Sequence, residues 1–303
     1  MTSAPAAGRP RLEALALGDG AQRNVVRVAV VGHVEWVGFA RVARLPARGE
    51  IIHAREHFEL AAGGGAVAAV QLARLAGSAE LFCALGDDEA GVRSEAELAG
   101  RGVRVHGAVR ARPQRRGFTY LDDGGERTIT ILSERLVPTA EDPLPWSELE
   151  RADAVYFTAG DAGALRYARR SRVLVATPRA SGALLDAGAG LTLDALVSSR
   201  GDADEHRDAA RLAGRAALTV QTEGGHGGRW RTRDGRWHRF APAPLPGPMV
   251  DAYGCGDSFA AGLTLALGEG LDPPAALALA ARCGAVCLTG TGPYGAQLAA
   301  ADR

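Results

Sequence analysis

The residues best suited to chemistry lie in Asp251-Ala-Tyr-Gly254-Cys255-Gly256-Asp257-Ser-Phe259. A Gly-x-Gly turn stands directly before an amphipathic run in which Phe259, Leu263 and Leu267 recur on one helical face. Glycines let the backbone bend so that consecutive N–H groups point outward, and a helix start carries roughly half a positive charge. Such a place suits a phosphate whose negative charge rises during transfer. Asp257, in the first turn, sets a carboxylate beside it, where it is able to take a proton from an attacking hydroxyl. In that reading the backbone of Gly254, Cys255 and Gly256 is an anion hole and Asp257 a general base. The same residues also make an ordinary tight turn and helix cap.

A second segment, Thr222-Glu-Gly224-Gly225-His-Gly227-Gly228, follows an apolar run and precedes a hairpin at 230–240 that turns at Asp234-Gly235. Its backbone is able to approach a nucleotide closely. Two such loops at strand ends suit the two sides of one cleft in an open α/β sheet, although each also reads as a plain hairpin loop.

These loops need elements to hold them. Short apolar runs at 27–31, 81–85, 154–158, 173–176, 195–198 and 217–221 read as buried strands. Helical stretches such as 66–75 and 89–98 lie between them. The alternation predicts an α/β domain with a mainly parallel sheet. Residues 35–60 and 104–132 break the rhythm; both are β-prone, and the second carries a hairpin signal at Asp122 to Gly125. They predict a small sheet built from two insertions, placed to act as a lid. The tail is helical over 257–267 and, after Asp272-Pro273, over 275–288, where scarce polar residues predict deep burial.

Composition narrows the function. All 35 basic residues are Arg, which excludes Schiff-base lysine chemistry and the lysine-bearing P-loop. The 35 acidic residues balance them, which argues against nucleic acid and against a polybasic membrane anchor. No apolar run approaches the ~20 residues needed to cross a bilayer. Residues 1–23 read as a flexible leader rather than a signal peptide. Cys83, Cys255, Cys283 and Cys287 form no CxxC pair and are expected as reduced thiols in a cytoplasmic protein.

The motif at 251–259 resembles the C-terminal signature of the ribokinase/PfkB carbohydrate kinases. Thr222-x-Gly224-x-x-Gly227 resembles that family's nucleotide loop, and Gly63-Gly64-Gly65 with the Ala-rich run after it resembles its N-terminal substrate signature. Gly86-Asp87-Asp88 and Gly125-Glu-Arg127 also match family features. The resemblance implies a three-layer α/β/α ribokinase-like, Rossmann-like body over 24–303 with a β-sheet lid. It implies transfer of the γ-phosphoryl of ATP, with Mg²⁺, to a hydroxyl of a sugar-like substrate. Asp257 would be the base. Thr222, Gly224, Gly225, Gly227, Ser199, Asp202 and Cys283 would line the nucleotide, Cys283 as a small wall at the adenine. Asp251 falls where many members hold a monovalent cation, which implies a K⁺ site.

The substrate end departs from the family. Val67 stands where the signature has Asn, Glu35 and Val37 stand near its Asn and Asp positions, and Ser199-Arg-Gly-Asp202 replaces Asn-x-x-Glu. His33 and Glu35, with Gly63 to Gly65, are then the expected substrate contacts, and Trp36 either stacks on a ring or packs the lid. Arg112, Arg115 and Arg116 either recognise a phosphate already on the substrate or form a solvated loop. Alternative readings are a nucleoside kinase of the same family and a degenerate kinase fold that binds ligand without turnover. An unpaired lid edge would also allow a homodimer. Gly63-x-Gly65-x-x-Ala68 imitates a dinucleotide fingerprint but does not follow the first strand. His53-Ala-Arg-Glu56-His57 spells an inverted zinc motif on a stretch that reads as a strand, where its histidines stand apart.

Overall fold

The computed structural model describes residues 26–188 and 190–303; the expected leader lies outside them. The main sheet is formed by β1 (Val28–Val31), β4 (Ala79–Gly86), β5 (Val103–Arg110), β8 (Ala154–Phe157), β9 (Val173–Ala176), β10 (Leu193–Ser199), β11 (Ala216–Thr222), β12 (Gly228–Thr232) and β13 (His238–Phe240). Their spatial order is β13-β12-β11-β10-β9-β8-β1-β4-β5. Neighbours from β11 to β5 are parallel, and β12 and β13 add an antiparallel hairpin. The parallel strands inside the edge strand β5 are largely buried on both faces, which is why the sequence shows continuous rather than alternating apolar runs there. In β1, Val28 and Val30 enter one core, and Ala29 and Val31 the other.

Helices α1 (Gly64–Ala76), α6 (Cys255–Gly268) and α7 (Pro273–Cys287) supply residues to the first core. Residues of α3 (Ala162–Ala168), α4 (Ser181–Asp186) and α5 (Ala203–Leu212) fill the second. Helix α2 (Glu89–Gly100) starts at Asp88, whose carboxylate accepts the Gly91 N–H, and buries Leu98. The three-layer arrangement follows from the βαβ rhythm. Helix α7 departs from its reading: Pro274, Ala275, Ala278 and Arg282 are exposed, so only one face is buried. Small alanines carry little information about which way a helix faces, and that caused the overestimate.

The small sheet runs β3-β2-β6-β7, from β2 (Glu35–Arg41), β3 (Glu56–Ala62), β6 (Arg116–Leu121) and β7 (Arg127–Ile131). Residues 104–110, read from sequence as part of this sheet, instead belong to β5, which pairs in parallel with β4 as the edge of the main sheet. An exposed edge strand lacks the continuous apolar run of a central one, so its pattern imitates a surface sheet. His57 lies extended on β3 opposite Ala40, which removes the helix that an inverted zinc motif requires. Strand β7 is exposed throughout and stands at one edge of this sheet. Among the described residues no helix is long and apolar enough to cross a membrane.

Candidate active site

The first polar residues after the parallel strands gather at one edge of the sheet, the usual ligand edge of an open α/β fold. Ser199 and Thr222 are direct neighbours across β10 and β11. Thr158 follows β8, and its Cγ2 would lie 2.5 Å from a Cβ placed on Gly32 at the end of β1. Helix α1 begins against the same point: a Cβ on Gly65 would meet the His33 carbonyl oxygen at 2.7 Å.

Helix α6 is the centre of the arrangement. Its N-cap, Gly254, has φ +79°, a left-handed conformation that glycine adopts without steric cost. A Cβ there would also approach Val67 Cγ1 to 2.9 Å. Val67, standing at the family's Asn position, is therefore packed beneath the turn. The Gly254 carbonyl accepts the Ser258 N–H at 2.9 Å, which leaves the amides of the preceding turn without intrahelical acceptors. Gly256 is exposed, and a Cβ on it would meet nothing within 4 Å.

Asp257 is half-buried in that first turn. A Cβ on Gly64 would lie 2.9 Å from its Oδ1, so the starts of α1 and α6 face each other across this carboxylate. Burial pushes the Asp257 carboxyl up to about 6. The charges of Arg179 and Arg127 pull it back down, while Glu205 and Glu35 add to the rise.

The glycine loop after β11 stands beside α6. Gly224 (φ +58°) and Gly225 are exposed with open space over them. Gly227 and Gly228 press on residues 240–242, and the Phe240 ring stacks 5.8 Å from Phe259 of α6. Open backbone at Gly224, Gly225 and Gly256, together with uncommitted amides at the α6 start, fits the phosphate chain of a nucleotide. Cys283, expected beside the adenine, is fully buried at the α6–α7 crossing, where a Cβ on Gly262 would lie 2.7 Å from its Sγ. It has no surface to offer a ligand and acts there as packing.

Asp202 caps α5, accepting the Glu205 N–H at 3.0 Å, and pairs with Arg179 at 2.9 Å. Glu205 receives the Ser199 N–H at 2.7 Å and also pairs with Arg179. The carboxylate that addresses Ser199 is therefore Glu205, three residues beyond the expected one. Asp251 is buried; its oxygens accept the Tyr253 N–H at 2.8 Å and the Gly292 N–H at 2.6 Å. This ties the loop before α6 to the 292 turn, and burial holds the carboxyl above its ordinary range. Among the described residues no group of His, Cys, Asp or Glu is placed to hold a metal by itself.

At the acceptor end His33 and Glu35 are both buried, 3.2 Å apart. Arg115, also buried, sets Nε 2.8 Å from Glu35. Burial pushes the His33 imidazole down despite Glu35, which favours the neutral ring. Burial raises the Glu35 carboxyl, but His33 and the charges of Arg115 and Arg135 outweigh it and hold the group below its usual value. His33 Nε2 lies near both the Gly64 N–H (3.3 Å) and Glu35, and a neutral nitrogen serves only one of them. The Gly64 N–H donates to Nε2, and Nδ1 is buried without a partner among the described residues. Trp36 is buried, donates to Glu59 and lies under Arg93, so it packs rather than stacks on a ligand. Arg112 and Arg116 are exposed and only Arg115 of the basic cluster turns inward.

Sequence reasoning missed Arg179, Glu205 and Arg135. Arg179 was findable, because it comes just after the buried run 173–176 and so belongs to the ligand edge.

Fold and site together have the arrangement of the carbohydrate-kinase class. A model of the pfkB family of carbohydrate kinases matches residues 26–174 and 192–299, and the chain belongs to that family. The ATP-dependent ribose-1-phosphate kinase of Halopiger xanaduensis is 32% identical over 139 residues, 45% of this chain and 46% of that protein. The chain thus matches about half the length of this curated relative. Ribokinase from Giardia lamblia has the same fold, with a TM-score of 0.75 at 17% identity over 91% of this chain and 98% of that one. Arabidopsis thaliana ribokinase complexed with ribose and ATP gives 0.69 at 20% identity, over 90% and 96%.

Proposed function

We propose that this protein transfers the γ-phosphoryl group of ATP to a hydroxyl of a small sugar-like acceptor, with Asp257 as general base. The observation that carries the reading is the Asp257 carboxyl at the mouth of α6, raised to about 6 by burial and facing the start of α1. A base with that affinity is largely ionised at pH 7 yet still attracts a proton. The ATP-dependent relative, and the ribokinase solved with ribose and ATP, support both partners.

Asp257 takes the hydroxyl proton as the acceptor oxygen forms its bond to the γ-phosphorus. The electron pair of the broken P–O bond departs with ADP. The 254–256 backbone donates to the transferring oxygens, and Arg179 offsets charge beside Asp257. Thr222, Gly224, Gly225, Gly227 and Ser199 border the nucleotide, with Asp202 and Glu205 fixing Arg179 behind them. Mg²⁺, if it arrived with ATP, would offset phosphate charge; among the described residues no cluster of carboxylates would hold it without the nucleotide. The small sheet brings Glu35 and Arg127 toward Asp257 and serves as the lid that excludes water. The Asp251 oxygens each accept one amide, which leaves a lone pair on each for a K⁺ ion.

A phosphoryl-transfer screen with ATP across pentoses, hexoses, sugar phosphates and nucleosides tests the proposal. Sugar-class turnover is expected. Turnover of nucleosides alone would replace the acceptor class, and binding without product throughout would make the protein a ligand binder.

A further inference from the structure

Helices α1 and α6 start on either side of a gap that a glycine leaves open. A Cβ on Gly64 would lie 2.9 Å from Asp257 Oδ1, 3.3 Å from Thr158 Oγ1 and 3.5 Å from His33 Cε1. Gly64 and Asp257 are half-buried, so a ligand is able to reach the gap, whereas Thr158 and His33 are buried walls of it. Both walls carry an unsatisfied polar atom. Thr158 Oγ1 and His33 Nδ1 have no hydrogen-bond partner among the described residues. Buried polar atoms are rarely left so, and a bound molecule is one of the partners that completes them.

The fold fixes how Thr158 is held. Its N–H donates to the Val31 carbonyl at 2.9 Å. Its Cγ2 packs over Gly32, where a Cβ would meet it at 2.5 Å. A β-branched side chain pinned at its methyl has little χ1 freedom, and this setting turns the hydroxyl toward Gly64 and Asp257. The Tyr156 phenol, kept protonated by burial, acts on Thr158 from two residues back on the same strand. As a donor to Oγ1 it leaves the threonine proton for a ligand. Ionised Asp257 only accepts. An oxygen that donates to Asp257 in this gap therefore stands within reach of a second, uncommitted donor.

We propose that the Thr158 hydroxyl holds the reacting hydroxyl of the acceptor against Asp257. This rests on the kinase reading and adds an acceptor-binding residue to it. The acceptor oxygen donates to Asp257 and accepts from Thr158, which leaves a lone pair for the γ-phosphorus. As the new O–P bond forms, the bond from phosphorus to the ADP oxygen breaks, its electron pair leaves with ADP, and the acceptor proton passes to Asp257. Thr158 keeps its own proton. Its contact fixes where the attacking oxygen stands, which an in-line transfer requires.

Thr158→Val keeps the branched shape and the methyl over Gly32 while removing the hydroxyl, and Thr158→Ser keeps the hydroxyl. Both are assayed beside the wild-type protein with ATP and D-ribose, ribose 1-phosphate, D-fructose or adenosine. Binding of ATP and of each acceptor is measured by calorimetry, and stability by urea unfolding. Thr158→Val should lower kcat/KM for the acceptor about tenfold or more, and Thr158→Ser should recover most of the loss. ATP affinity should be unchanged, and the acid limb near pH 6 should stay in place because Asp257 is untouched. The Val variant should be at least as stable as the wild-type protein, since it removes a buried hydroxyl without a partner. Unchanged kcat/KM in Thr158→Val would overturn the inference and leave the kinase reading standing. So would losses of stability and ATP affinity that parallel the loss of turnover, because they mark a packing role. If the wild-type protein phosphorylates none of the acceptors, the kinase reading falls. The role of Thr158 then stands if Thr158→Val weakens acceptor binding by a comparable factor, and falls if it does not or if no acceptor binds.

Discussion

At the start of α6, the groups that meet an anion come from consecutive residues 254–257. At the acceptor end the groups come from residues 33, 35, 115 and 135, on segments far apart in sequence. The first region is a local object: a left-handed glycine, a helix start and one carboxylate. The second exists only because the small sheet folds over the end of β1. Local chemistry is written in a short motif, whereas acceptor chemistry depends on which distant segments the sheets bring together.

The comparison breaks most readily at Glu35. Glu35→Ala strands Arg115 in a buried setting and should cost about 3–5 kcal/mol of stability in urea unfolding. A loss below about 1 kcal/mol would mean that the buried pair is not integral to the acceptor end. At the phosphate end two glycines with different duties sharpen the contrast. Gly254→Ala must hold φ +79° against Val67 and should lose about 1–2 kcal/mol. Gly256→Val has free space and should fold normally, yet raise the KM for ATP about tenfold or more by filling the phosphate approach. Both variants behaving alike would erase the distinction between turn and cradle. The smallest effect is electrostatic. Arg179 lowers the proton affinity of Asp257, so Arg179→Gln should move the acid limb of the pH–rate profile to higher pH by about one unit. A shift the other way would place Arg179 elsewhere in the electrostatics.

The same division explains what could be read from the residues alone. The parallel strands and their helices were legible because doubly buried strands leave unbroken apolar runs. Asp257 and its glycines were legible because the helix start is contiguous. Residues 104–110 of the edge strand were misassigned because one-sided burial gives the alternating pattern of a surface sheet. Cys283 was misplaced because a family position says nothing about which face of α7 is sealed against Gly262. Arg135 was invisible: an arginine after a short exposed strand has no local mark that it turns inward. Of the basic residues at 112–116, only the fold separates the buried Arg115 from its solvated neighbours.

Asp257→Asn, assayed across pH, tests the central claim most directly. The folded carboxyl binds its proton more tightly than the unfolded one, at about 6 against 3.8, so its charged form weakens the fold as pH rises through that window. The Asn variant should therefore be at least as stable as the wild-type protein at pH 7. Its turnover should fall by about 100-fold or more, and the acid limb near pH 6 should vanish. Wild-type turnover with an unchanged acid limb would contradict the account.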